Sequence, residues 1–177
     1  MLEIATRARV SKRELYALVG AKQDMLVACI TERAGRMRPP ADMPEPGDRE
    51  SLAGVLAAFG ERILREVTDP PVLAVFRLAI AEAERAPEIA QALDSIGRAA
   101  ARRELAELLE KAKACGLVGG DSAEMTAQFL ALLWGDLMVS LLLRLVDPPT
   151  PEEAGRRARN AASAFLRLQP AGGSNQA

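Results

Sequence analysis

The residues best suited to chemistry in this sequence are basic side chains near its N-terminus. Lys12 and Arg13 follow Ser11 directly, and Tyr16 comes three positions after Arg13. A guanidinium group can donate two parallel hydrogen bonds to O6 and N7 of guanine, and lysine or tyrosine side chains can contact phosphates. The sequence therefore makes Arg13 a candidate for reading a base.

The charge distribution supports the same interpretation. Residues 1–38 hold eight Lys and Arg against four Asp and Glu, a balance of +4, whereas residues 39–177 hold fifteen against twenty, a balance of −5. A basic head on an acidic body is typical of a nucleic-acid-binding segment joined to a non-binding domain. An uneven scatter of charge would give the same counts.

The composition excludes several kinds of catalytic and metal site. The chain contains no histidine, which removes histidine acid–base catalysis, Ser–His and Cys–His pairs, and histidine metal ligands. Cys29 and Cys115 are far apart and form no CxxC motif, so we expect two buried thiols of a cytoplasmic protein, with neither a disulfide nor a zinc site. No glycine-rich phosphate loop or nucleophile motif occurs. We therefore expect no enzyme, no catalytic residue, no metal and no cofactor.

The elements that must position the basic residues are short helices. Ser11 followed by Glu14 is a capping box, which predicts a helix starting directly after Ser11. A shorter helix, from about Leu2 to Ala8, precedes it across a turn at Arg9. Leu15 and Val19 are expected to point inward. A short helix, a tight turn and a capped second helix with basic residues in its first turn predict a helix-turn-helix.

Proline and glycine divide the rest of the chain. No segment alternates apolar and polar residues with period two, so we predict an all-α protein. The expected units are a head over 1–38, a Pro-rich linker over 39–47, a helical body over 48–168 and a disordered tail over 169–177.

Two helices of the body predict a homodimer. Residues 121–145 are expected to form one helix, and its segment 129–145 is apolar on every side apart from Asp136 and Arg144. That segment is too short to cross a membrane, so we expect it to face its own core on one side and a partner on the other. The next helix carries a small-residue seam with heptad-like spacing, which would complete a four-helix interface; the seam comprises Ala154, Ala158, Ala161, Phe165 and Leu168. A central core helix in a monomer is the alternative.

The body also has bulky or soft residues that suit a pocket for a small apolar molecule. These ligand-binding candidates are Phe59, Phe76, Met125, Phe129, Trp134 and Met138. Plain core packing is the alternative for each of them.

Residues 4–26 resemble the DNA-binding signature of TetR-type (TetR/AcrR) transcriptional regulators. The family run "IA..AGVS...LY.YF..K..L" is matched without gaps at Ile4, Ala5, Ala8, Val10, Ser11, Leu15, Tyr16, Lys22 and Leu26. The segment from Phe76-Arg77-Leu78 to Glu82 and Pro87 is similar to one subgroup of the family's helical effector-binding and dimerisation domain.

The resemblance implies a homodimeric, ligand-responsive repressor that binds a palindromic double-stranded DNA operator and is released by a small apolar effector. By position in the motif, Tyr16 and Lys22 would hold phosphates. The other residues implied at the DNA are Thr6, Ser11, Lys12, Arg13, Glu14, Ala17 and Leu18.

The sequence departs from the family pattern at several positions. Arg9 stands where the turn usually has glycine, Leu18-Val19 replaces an aromatic pair, and Ala21 replaces a better helix cap. The family also has a helix before Ile4, whereas this sequence begins at Met1. We therefore expect a head without its first helix, with part of its apolar surface uncovered, unless the true start lies upstream. A degenerate member that dimerises and binds a ligand but does not bind DNA by itself is the alternative function.

Overall fold

The computed structural model describes residues 2–36 and 45–169, without the side chains of Lys22, Gln23 and Arg36. The described residues form helices and turns, with no β-strand among them, which confirms the all-α prediction. One further segment, Leu93–Arg98, is π-helical. The helices are α1 (Leu2–Ala8), α2 (Lys12–Val19), α3 (Lys22–Arg36), α4 (Arg49–Val67), α5 (Pro70–Ala81), α6 (Pro87–Ala92), α7 (Ala99–Ala114), α8 (Ser122–Trp134), α9 (Leu137–Leu142) and α10 (Pro151–Leu168).

Local capping signals place most of the helix starts. Reciprocal capping boxes open α2 at Ser11, α4 at Asp48 and α10 at Thr150, and the Asp121 carboxylate accepts two backbone N–H bonds at the start of α8. Proline occupies the first turn of α5, α6 and α10, where its missing N–H costs nothing.

The body is built around α4. This helix packs along α10, while α8 packs against both α10 and α7. Gly60 permits the close approach, because a Cβ atom there would lie 3.0 Å from Leu133 Cδ1 and 3.3 Å from Ala158 Cβ. The resulting core buries Leu52, Leu56, Leu105, Leu109 and Phe165 almost completely.

The α10 seam lies inside this core, which corrects its predicted place in a dimer interface. Ala154, Ala158, Ala161 and Phe165 are all buried within one chain, and the Phe165 ring packs edge-to-face on Phe129 with 5.8 Å between centroids. Leu168 at the end of the seam is exposed. The seam is apolar because α4 and α8 of the same chain cover it.

The helix predicted over 121–145 is broken in two. Gly135 ends α8 with a φ of 48°, a left-handed conformation that glycine adopts at little cost. Arg157 donates to the carbonyl oxygens of Leu133 (2.6 Å) and Trp134 (2.5 Å), so the last carbonyls of α8 have a partner. Helix α9 then ends at Leu142. No helix in the described ranges has the length and apolarity to cross a membrane.

Helix α3 joins the head to the body. Its Ile30 packs with Ala79, Ile89 and Leu93 in a second apolar cluster, separate from the main core. Ile30 Cγ2 would lie 3.9 Å from a Cβ atom at Gly97, so α3 rests directly on the π-helical segment. The long helix predicted from about Pro87 to Cys115 is a continuous helical rod, but it contains this π-helical segment under α3.

The two ends of the body are tied together by Arg49. Its guanidinium donates to the carbonyl oxygens of Leu117 (2.5 Å), Leu166 and Gln169 (2.9 Å). Gln169 belongs to the predicted disordered tail, yet its side chain also donates to Gln128 Oε1. Residues 170–177 of that tail and residues 39–44 of the linker lie outside the described residues.

Both cysteines are exposed, so the prediction that they are buried is wrong. Cys29 lies on an outward face of α3, and Cys115 follows the last residue of α7. Small size and low polarity do not determine which side of a helix a residue occupies.

Candidate nucleic-acid interface and ligand core

The turn between α1 and α2 is tight and rests on one strained residue. Arg9 has a φ of 54°, the left-handed conformation that favours glycine, and glycine is what the resembled motif has there. The Arg9 and Val10 backbone N–H groups donate to Thr6 O (3.2 Å) and Ala5 O (3.1 Å). Arginine therefore keeps the turn geometry, at the cost of backbone strain.

Helix α2 is aligned by its capping box. The Ser11 backbone N–H donates to Glu14 Oε2 at 2.8 Å, and the Glu14 N–H donates to Ser11 Oγ at 3.1 Å. The hydroxyl of Ser11, followed by its backbone N–H, lowers the pKa of Glu14 by hydrogen bonding to the carboxylate. Leu15 is buried against α1, so the first turn of α2 is presented outward on a defined axis.

The predicted DNA-facing residues whose side chains are described all lie on the surface. Leu18 is 75% exposed and Tyr16 is 43% exposed. Lys12 Nζ lies 5.9 Å from the centroid of the Tyr16 ring, which places a basic group beside this phosphate candidate. The exposed members of the predicted set are Thr6, Ser11, Lys12, Arg13, Glu14, Tyr16, Ala17 and Leu18. The side chain of Lys22 lies outside the described part of the chain.

Three of these residues use their polar atoms inside the head. Ser11 and Glu14 bond each other's backbone, and Thr6 Oγ1 donates to Leu2 O at 3.0 Å. Lys12 and Arg13 make no such bond to the head's backbone in the described residues. The cationic groups of Lys12 and Arg13 are therefore not engaged by the backbone of the described head.

Asp24 is a structural residue of the head that the sequence analysis missed. Its Oδ2 accepts from the Ala21 N–H at 2.7 Å at the start of α3. This carboxylate compensates for the poor cap at Ala21. The signal was present, since an acid three residues after a cap position is half of a capping box.

The ligand candidates do not form one lining. Phe59, Met125 and Phe129 are fully buried in the main core, and Trp134 packs against it while partly exposed. Phe76 belongs to the second cluster beneath α3 instead. Met138 is half-buried on α9. The structure thus brings four of the six together.

Polar groups within the body were not predicted from the sequence. The Arg62 guanidinium lies over the Phe59 ring, 5.4 Å from its centroid, and Glu104 on α7 carries the opposite charge nearby. Burial lowers the pKa of Arg62, and the Glu104 carboxylate opposes that shift. Thr126 on α8 is 5% exposed, and its hydroxyl has no hydrogen-bond partner among the described residues. Such groups can orient a ligand that is otherwise apolar.

A cleft lies where the head meets the body. This junction cleft has a volume of about 310 Å³. Charged side chains from α3 and α4 line one side, and prolines near the start of α10 line the other; its lining includes Arg33, Arg65, Glu66, Asp69, Pro148 and Pro151. None of the six ligand candidates contributes to it. The described residues contain no group of three or more acidic or sulfur side chains placed to hold a metal ion.

The body matches a known domain over most of its length. Residues 54–168 match the family described as "AefR-like transcriptional repressor, C-terminal domain", a TetR C-terminal domain. The chain belongs to the TetR family. Regulators of this family bind DNA and dimerise, respond to ligands, and are not enzymes.

Solved structures resemble this TetR-family chain across both the head and the body. A TetR transcriptional regulator from Agrobacterium tumefaciens is 30% identical over 93% of this chain and 80% of its own, with a TM-score of 0.76. A flavonoid-responsive regulator, FrrA, is 28% identical over 100% of this chain and 87% of its own, with a TM-score of 0.71.

A TetR-family structure from Mesorhizobium loti MAFF303099 is 23% identical over 95% of this chain and 85% of its own, with a TM-score of 0.77, and it supports the fold alone. No curated protein is significantly similar to the chain.

Proposed function

We propose that this chain is a homodimeric repressor that binds a palindromic DNA operator and leaves it when a small effector binds in the body. The observation that carries the proposal is the capped α2 helix, which exposes Lys12 and Arg13 in its first turn. We expect it to act in the cytoplasm, where such an operator would be found.

At the operator, Arg13 reads a guanine while Tyr16 and Lys22 hold phosphates. Leu18 and Ala17 offer small or apolar surface, which suits contact with a thymine methyl group. The Ser11–Glu14 capping box fixes the axis of α2, so that Arg13 meets the same base in each half-site.

The proposed effector is apolar or amphipathic and binds among the helices of the body. Phe59, Met125 and Phe129 supply apolar surface, while Arg62 and Thr126 supply polar groups that fix orientation. One similar structure is of a flavonoid-responsive regulator. Planar aromatic compounds with hydroxyl groups are therefore suitable first probes.

The proposed dimer uses the outer faces of α8 and α9 instead of the α10 seam. Ala127 and Ala131 on α8 are exposed and small, which permits close helix approach, and Trp134 is partly exposed beside them. Val139 and Leu143 continue the apolar surface along and just beyond α9, at 59% and 64% exposure. A second copy of the chain would remove this surface from water.

A second candidate function is a member that dimerises and binds a ligand but does not bind DNA by itself. The head supports this alternative because α1 and α2 bury only Ala5 and Leu15 between them. Leu2 is 71% exposed and Ile4 is 40% exposed. An apolar core this small holds α2 weakly in place.

DNA binding distinguishes the two candidates. A mobility-shift selection against genomic fragments should recover a palindromic site whose half-sites lie about 34–36 Å apart, or a multiple of that distance. Arg13→Ala should relax the preference at one base position by about 1–3 kcal/mol. Lys22→Ala should weaken all sites alike and reduce the salt slope by about one unit. If no fragment is selected, the second candidate is correct.

Effector binding is tested by thermal shift with flavonoids and with aliphatic compounds of similar size. A bound ligand raises the melting temperature by mass action, and Thr126→Val should reduce the shift if the hydroxyl orients the ligand. A panel in which polar metabolites alone give shifts would contradict the apolar effector.

The oligomeric state is tested by light scattering at micromolar concentration. Wild-type protein should have the mass of a dimer, and Ala131→Glu on the exposed face of α8 should give a monomer with unchanged helical content. Glu124→Gln, also exposed on α8, is the matched control. A monomer mass for the wild-type chain would contradict the proposed interface.

A further inference from the structure

Arg33 makes two ion pairs that connect the head to the body. It lies on α3, one turn after Ile30, and its Nη2 atom is 2.6 Å from Asp69 Oδ2. Its Nη1 atom is 3.6 Å from Glu66 Oε2, which is within ion-pair range but too long for a hydrogen bond. Arg33 therefore holds one carboxylate tightly and the other loosely.

Asp69 is a rigid anchor for Arg33. It precedes the first turn of α5, yet its side chain makes no capping hydrogen bond, so the carboxylate is directed to Arg33 instead. Asp69 and the buried Thr68 form the entire connection between α4 and α5, and Pro70 begins the next helix. A corner this short moves with the body.

Glu66 offers Arg33 a second carboxylate, with which Arg33 forms an ion pair but no hydrogen bond. Its Oε2 atom is buried and has no hydrogen-bond partner among the described residues. A buried carboxylate oxygen without a hydrogen bond is costly, so the structure favours any small movement that brings Arg33 closer to it. The side chains of Arg33 and Glu66 are 30% and 20% exposed, so solvent screens the pair only partly.

The junction cleft gives Arg33 space to move between these two acids. Arg33, Glu66 and Asp69 all line it, and it encloses about 310 Å³ of open space. Two basic and two acidic side chains line the cleft; they are Arg33, Arg65, Glu66 and Asp69. Its net charge therefore favours neither an anionic nor a cationic ligand, and the cleft is better suited to rearrangement of its own side chains.

We propose that the ion pairs from Arg33 to Asp69 and Glu66 form a latch that sets the orientation of the head relative to the body. The apolar contact of Ile30 with the π-helical segment is the pivot, and Arg33, one turn further along α3, holds the head at one angle. Transfer of Arg33 from Asp69 towards Glu66 tilts α3 and with it α2. The consequence for DNA rests on the proposed function, because a tilt changes the spacing of two heads on an operator.

The latch is tested by the distance between the head and the body in the full chain. Spin labels at Ala8→Cys in α1 and at the native Cys115, in a Cys29→Ser background, report that distance, with excess unlabelled protein to exclude pairs between subunits. Arg33→Gln should broaden the distance distribution about twofold, since the held orientation becomes one of several. Arg103→Gln removes an exposed ion pair with Glu107 within α7 and should leave the distribution unchanged.

A charge exchange separates loss of the latch from general damage. Arg33→Asp should broaden the distribution, and Arg33→Asp combined with Asp69→Arg should narrow it again because the pair is restored with opposite polarity. An unchanged distribution in Arg33→Gln, or no recovery in the exchanged pair, overturns the latch.

Operator binding is measured separately on the same variants. Loss of the latch should lower operator affinity about fivefold, at the small end of typical coupling between sites, and the charge exchange should restore it. If the wild-type chain binds no operator, the proposed function fails, while the distance measurements still decide whether the latch exists.

Discussion

The body and the head bury very different amounts of apolar surface. Helix α4 alone buries seven residues, including Leu52, Leu56 and Ile63, and helices of the same chain cover them from several sides. Helices α1 and α2 together bury Ala5 and Leu15. The body can therefore maintain its own fold, whereas the head depends on a few contacts and on α3. A low-stability element attached through one helix is suited to reorientation, as a ligand-responsive regulator requires.

The largest effect in this comparison is expected from the body core. Phe165→Ala removes a ring that is fully buried against Phe129, and it should lower the free energy of unfolding by about 3–5 kcal/mol. Urea denaturation measures the loss. Leu168→Ala, on the exposed end of the same helix, is the control and should cost less than about 0.5 kcal/mol. Equal losses in the two variants would contradict the placement of the seam in the core.

A core substitution in the head should destabilise the head and leave the body folded. Leu15→Ala removes the largest buried side chain of α2 and should destabilise the head by about 2–5 kcal/mol. Hydrogen exchange should show faster exchange in α1 and α2, with unchanged protection in α4 and α10. Equal loss of protection in the body would mean that the two regions unfold as one unit.

A substitution in the turn between α1 and α2 should raise the stability of the head instead of lowering it. Arg9→Gly relieves a left-handed residue with a φ of 54°, and it should stabilise the head by about 0.5–1 kcal/mol after the higher entropy of unfolded glycine is included. Ala8→Gly, at the last residue of α1, is the matched control; it relieves no left-handed residue and should not stabilise the head. Slower exchange of α1 and α2 amides in Arg9→Gly measures the gain, and faster exchange would refute the strain argument.

The smallest effect concerns pH. The Glu14 pKa is below its ordinary value of 4.5 in the folded chain, so its capping contribution is present above that pH and is lost as the pH falls through the folded value. Glu14→Gln should therefore reduce the dependence of head stability on acid below about pH 4.5. Glu3→Gln, on the exposed face of α1, is the control. Identical acid sensitivity in wild type and Glu14→Gln would show that the Glu14 carboxylate does not contribute to the pH dependence of head stability.

Local signals predicted much of the fold. The starts of α2, α8 and α10 follow from residues three apart, such as Ser11 with Glu14 and Thr150 with Glu153, because a cap needs no information from elsewhere in the chain. The exposed, basic first turn of α2 was predicted in the same way. The DNA roles of its residues and the ligand roles of the body residues remain predictions.

Contacts between residues far apart in the chain could not be predicted from the sequence. The Arg62 and Glu104 pair joins α4 to α7, and Arg33 meets Asp69 across 36 positions of the chain. No periodicity marks such partners, because a charge on a helix face looks the same whether water or another helix covers it. The break at Gly135 was missed because the apolar pattern continues on both sides of it.

The amino-acid sequence by itself determined the helical class, the capped and basic α2 helix, and the apolar stripe of α10. Only the tertiary structure decided which helices cover that stripe and which charges meet across the junction. The physical reason is that burial of apolar area is non-directional: Ala158 and Phe165 gain the same free energy against α4 of their own chain as against a second copy. The outcome depends on which helices the whole fold brings to each surface. For α10 the covering helices are α4 and α8 of the same chain.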